Sequence, residues 1–142
     1  MDDSHVEKNQ QQLERLEALL LQLSDADLLR ETGDGWTVAA LLAHLAFWDT
    51  RALNLLKRWM AEGVSPSPID PDTVNDAMLP LLRAIPPRAA AQMALDAARA
   101  VNRMVESVPA ELVPAIDAQG NRFLRRWMHR EMHVEEMERR NK

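Results

Sequence analysis

The sequence predicts an all-α chain folded as a four-helix bundle in up-down-down-up order, with a long crossover between the second and third helices. Three observations carry this. Leu, Ala, Met, Arg and Glu dominate the 142 residues, which hold only four glycines and no tyrosine, and such side chains keep rotamer freedom in helices while strands favour β-branched and aromatic residues. Apolar positions recur at three-and-four spacing in several segments. Finally, a proline-rich stretch interrupts the helical pattern once, near the middle of the chain.

The first helix is expected over residues 4–23, where Leu13, Leu16, Leu20 and Leu23 form one stripe. Residues 24–35 are polar and end with two glycines, so they read as a structured connection with an extra turn over residues 25–30. Thr37 is a suitable N-cap for a second helix that continues to about Glu62 and stops before Gly63. That helix is apolar on nearly every side, which places it at the centre of the core. Six prolines, at 66, 68, 71, 80, 86 and 87, resist one long helix and leave room for a short one near residues 72–79. A third helix should start at Pro87 or Arg88 and run to about Val108, with Met93, Ala97, Val101, Met104, Val105 and Val108 as its core stripe. A link containing Pro114 and Gly120 leads to a fourth helix over residues 121–140. Short links suit antiparallel neighbours and the long one permits a crossover. Residues 1–142 form one domain on this reading, long enough to bury a core without disulfides.

A formal net charge of -5 argues against nucleic acid and against an anionic membrane surface as partners, since both draw on a cationic face. The absence of cysteine removes disulfides, thiolate nucleophiles and Cys-ligated metals, so a metal would have to sit on His, Asp or Glu. An acidic, polar start and no long apolar run point to neither a signal peptide nor a spanning helix, and the expected location is cytoplasmic. The Met- and Trp-rich helices suit a buried interface, so a homodimer is one expectation.

His129 and His133 lie one helical turn apart, a spacing that lets two imidazoles chelate one divalent ion or leaves two solvated histidines on a charged helix. His44 lies among Leu41, Leu45, Phe47 and Trp48 on the helix expected to be buried, where an imidazole needs a partner. That partner is either a backbone carbonyl or carboxylate, or a metal shared with the pair. A helical wheel over residues 121–140 puts His129 and His133 with Arg122, Arg125, Arg126 and Glu136, opposite Phe123, Leu124, Trp127 and Val134. The pair then borders a polar cleft or the surface. His5 reads as an exposed terminal residue.

GWTVAALLAHLAFWD, residues 35–49, resembles the second-helix signature of the DinB-like bundle family, and WMHREMH, residues 127–133, is similar to its closing HxxxH motif. The two motifs stand in the family's order, about 85 residues apart. The resemblance extends to the N-terminal domain of mycothiol-dependent maleylpyruvate isomerases. It implies the up-down-down-up bundle and a divalent metal (Zn, Ni, Fe or Mn) on His44, His129 and His133. It further implies a metal-dependent transferase or hydrolase acting on a small molecule, in some members with a low-molecular-weight thiol.

Glu136 is then the candidate catalytic carboxylate, for moving a proton or orienting an imidazole, against the reading of a solvated glutamate in an acidic run. Arg51, Arg122, Arg125 and Arg126 are candidates for binding an anionic substrate, or else a solvated face. Trp48 and Trp59 offer flat apolar surface near that line, or simply core. The alternative function is a non-catalytic bundle that binds a small molecule or protein, with structural or vestigial histidines.

Overall fold

The computed structural model describes residues 4–139, and everything below concerns those residues. Five helices of 12 or more residues dominate: α1 (Ser4–Gln22), α3 (Val38–Glu62), α4 (Pro71–Arg83), α5 (Pro87–Glu106) and α7 (Trp127–Glu138). Two shorter ones, α2 (Asp25–Leu29) and α6 (Val113–Gln119), fill connections, with one 3₁₀ turn at Ala110–Leu112. The all-α class stands, with a single small addition. Strands β1 (Glu31–Gly33) and β2 (Trp36–Thr37) form an antiparallel hairpin before α3.

That hairpin has a local cause. Asp34 and Gly35 both adopt positive φ, 52° and 83°, as a two-residue hairpin turn whose twist matches its strands requires. The hairpin delivers Thr37 to the start of α3, where its side chain accepts a hydrogen bond from the Ala40 amide at 3.0 Å. The helix closes at Gly63, whose φ of 97° suits a residue without Cβ. Both ends of α3 match the sequence expectation.

Helix α3 packs most extensively on α5 and also on α4 and α7, and α1 packs on α5 and α7, around a shared interior. Its apolar contents fall into two clusters. One joins Leu16, Leu20 and Leu28 to Val38–Leu45, Ala90, Ala94, Val134 and Met137; the other joins Leu55, Leu56 and Trp59 to Val101, Val105, Ile116 and Leu124. On α3 the step from the first cluster to the second passes through Asp49, which is only 2% exposed.

Four sequence expectations need correction. The buried stripe on α5 is Ala90, Ala91, Ala94, Ala98, Val101, Asn102 and Val105; of the expected stripe Val101 and Val105 stand, Met104 and Val108 pack half-buried on the second cluster, and Met93 is exposed. Alanines let α5 approach α3 closely, and this contact outweighs burial of the larger methionine. Helix α4 runs four residues past Leu79, through Pro80. The last helix begins at Trp127, not near residue 121, because residues 120–126 form turns after α6; its expected end at residue 140 lies outside the described residues. His5, expected to be exposed, is buried at the start of α1.

Candidate metal centre

The N-terminal half of α3 carries His44, and α7 carries His129 and His133 one turn apart. The late start of α7 matters, because the wheel drawn from residue 121 does not describe residues 121–126. The face of α7 turned inward holds Arg130, Val134 and Met137, and the two histidines flank it towards α3. Nε2 of His44 lies 3.0 Å from Nε2 of His129. The three ring centroids are 4.7, 4.8 and 5.0 Å apart and the rings of these pairs are inclined at 76°, 68° and 86°. One nitrogen from each histidine falls within 4.8 Å of the others, a group that could hold a metal ion.

A model of the DinB superfamily matches residues 9–137. The chain belongs to the DinB superfamily. No curated protein and no solved structure matches it.

The donor set of this DinB member fits a divalent ion on its own chemistry. His133 Nδ1 is 2.9 Å from Glu136 Oε1, and an imidazole whose Nδ1–H is held by a carboxylate presents a bare Nε2, the arrangement that orients metal-ligating histidines. This contact is the one that an imidazole-orienting role for Glu136 requires. Burial, with repulsion from His133 second, lowers His44 from the ordinary 6.5 to about 4, against a weaker opposing contribution from Asn75. Burial also pushes His129 to about 2, with further repulsion from His133, His44, Arg126 and Arg122. Both rings are therefore neutral near pH 7, as ligands must be.

These shifts set a stability prediction for the metal-free protein. Folded pKa values below the unfolded 6.5 mean that the unfolded chain binds more protons below that pH, so stability rises with pH there. Thermal stability is expected to fall as pH drops from 6.5 towards about 4, with the His129 contribution persisting lower. Melting curves across that range check it, and His129→Gln should flatten the dependence; a slope unchanged by that substitution would contradict the assignment.

The histidines lie in a cleft of about 770 Å³. Trp36, from the hairpin, meets the edge of His44 at a centroid distance of 5.3 Å. Trp48 also lines the cleft, and its Nε1 donates to Asn75 Oδ1 on α4 at 2.9 Å, so α4 forms a wall of the site. Trp59 does not: it is buried in the second apolar cluster.

The four arginines separate. Arg51, Arg122 and Arg126 line the cleft. Arg125 does not and instead pairs with Asp117 at 2.8 Å. Arg126 is only 6% exposed and its Nε donates to Asp49 Oδ1 at 2.9 Å.

Asp49, Arg130, Asn9 and Asn102 were missed by the sequence reading. Arg130, fully buried, donates to Asn9 O at 2.9 Å, Asn102 Oδ1 at 2.9 Å and Asp49 Oδ2 at 3.4 Å. Asn9 in turn donates to Leu124 O and accepts from the Trp127 amide, which fixes where α7 starts. The network therefore ties α1, α3 and α5 to the helix that carries two of the three histidines. A faint signal existed, since Asp49 and Arg130 are charges on helix faces otherwise apolar.

Proposed function

We propose that this DinB member is a divalent-metal-dependent enzyme, a transferase or hydrolase acting on a small molecule, with His44, His129 and His133 as ligands. In this reading α1, α3, α5 and α7 form a four-helix bundle that runs up-down-down-up. The observation that carries the proposal is the convergence of three imidazoles inside a cleft, their rings inclined at 68°, 76° and 86° to one another and one of them hydrogen-bonded to Glu136. Three protein ligands leave coordination positions open, the pattern of catalytic rather than structural sites. A bound ion would supply Lewis acidity, favouring the thiolate of a low-molecular-weight thiol or the hydroxide of a water.

The chain's own residues do the rest. His44 and His129 stay neutral because burial disfavours their charged forms. Glu136 holds His133 through Oε1 and, lining the cleft, is the carboxylate placed to accept the proton released by thiol or water. Trp36 and Trp48 limit water around the reacting end of the substrate. Three nitrogens do not choose among Zn, Ni, Fe and Mn.

The test is metal analysis on protein purified without a histidine tag, loaded in turn with each of these ions. About one ion per chain is expected for at least one of them, and His44→Ala should abolish stoichiometric loading. Unchanged metal content in that variant would overturn the ligand assignment. Failure to load any of the four would favour a non-catalytic binding module.

A further inference from the structure

The buried charge beside the histidines does not balance. Asp49 supplies one carboxylate to two guanidiniums, those of Arg126 and Arg130. Arg130 faces the interior and spends its bonds on Asn9, Asn102 and Asp49. Arg126 is more than nine-tenths buried yet lines the cleft. Its Nε is committed to Asp49 and its Nη1 to Arg122 O, and Nη2 has no hydrogen-bond partner among the described residues.

Two more guanidiniums share this wall. Arg51 forms no ion pair among the described residues; its Nη2 donates to Ser67 O at 2.9 Å, and its guanidinium carbon stands 5.9 and 5.8 Å from the Trp48 and Phe123 rings. It also feels Arg126, whose repulsion adds to burial in lowering its pKa. Arg122 is exposed and meets no carboxylate among the described residues. Like charges gathered without an anion between them are held at an energetic cost, and an oxyanion is the group that relieves it.

The cleft also carries Asp34, Asp72, Asp76 and Glu136. The first three are exposed, on the hairpin turn and on α4, where water and salt screen them. Glu136 is engaged with His133. The buried Arg126 is screened least, so the field at its end of the cleft is positive.

We infer that Arg126, with Arg51 and Arg122, forms an oxyanion subsite that seats a carboxylate or phosphate group of the ligand beside the histidine cluster. The aromatic faces of Trp48 and Phe123 next to Arg51 suit a flat or apolar body attached to that anion. The inference rests on the proposed function in placing the ligand's reacting end at the histidines. The anion subsite itself does not need the metal.

The experiment is therefore run on metal-free protein, by calorimetric titration at low ionic strength with benzoate, inorganic phosphate and neutral benzamide. Benzoate or phosphate is expected to bind at least about tenfold more tightly than benzamide, consistent with a charge-assisted, paired guanidinium contact. Whichever of the two anions binds more tightly identifies the subsite as one for carboxylate or for phosphate. Arg51→Gln and Arg122→Gln, both at positions outside the buried network, should each weaken the anion by about tenfold with an unchanged helical spectrum. Arg126 is left intact because its loss would remove the closer of the two guanidiniums paired with buried Asp49. Binding of benzamide as tight as both anions, no detectable binding of either anion, or affinities within twofold in both variants would overturn the subsite. Failure to load metal would overturn the proposed function and leave these titrations unaffected.

Discussion

Asp49→Ala is expected to destabilise the protein by about 3–5 kcal/mol, because it leaves buried guanidiniums without their only carboxylate. Arg130 is fully buried and Arg126 is 6% exposed, so water cannot take over the lost contacts. Their bonds to Asp49, at 2.9 and 3.4 Å, are the only ion pairs either makes among the described residues. The exposed pair Arg88–Asp25 offers the control. Its separation of 2.8 Å is as short, but its side chains are 55% and 85% exposed, so Asp25→Ala should cost less than about 1 kcal/mol. Denaturant unfolding of both variants measures the contrast. Equal losses would mean that the buried network contributes nothing beyond a surface pair. Distance does not separate the two cases; dielectric environment does.

The second large effect concerns metal affinity and should be graded. His129→Ala removes a nitrogen that lies 3.0 Å from its counterpart on His44, and is expected to reduce divalent-ion affinity by more than about 100-fold, since two imidazoles remain of three. Glu136→Gln leaves all three nitrogens in place. It replaces the carboxylate 2.9 Å from His133 Nδ1 with a neutral amide, which lowers the basicity of the imidazole and loosens its orientation. A loss of about 10–100-fold is expected, the usual range for such a partner. Competitive titration against a chromogenic chelator gives both numbers. If Glu136→Gln binds as tightly as the parent protein, Glu136 does not position His133.

The His129–His133 pair could be picked out from its helical repeat, whereas His44 as a third ligand followed from the resemblance of residues 35–49 to the DinB-like signature. Glu136, one turn beyond His133, was legible only as one of two readings, the other being a solvated glutamate. The arginines were legible only as a group. Arg125 and Arg126 are adjacent in sequence, yet one pairs with Asp117 outside the cleft and the other is buried against Asp49. A wheel could not separate them, because residues 121–126 are not helical and carry no helical periodicity. The turn Asp34–Gly35 was also readable in principle, since an Asp-Gly pair beside Thr32 and Trp36 is a short-range hairpin signal.

Local chemistry alone determined much of this protein: the helical class, both ends of α3, the turn at α2 and the one-turn spacing of His129 and His133. Each depends on a side chain acting on its own backbone or on neighbours one turn away. Tertiary structure decided the rest. It chose alanines over Met93 for the inner face of the first half of α5, because close helix approach depends on the partner surface. It assembled Asn9, Asp49, Asn102, Arg126 and Arg130 into one network from positions spread across the chain. That network sets the start of α7, and with it the direction in which His129 and His133 face His44. Long-range pairing of buried charges leaves no periodic trace in the sequence, since each member needs only a partner in space.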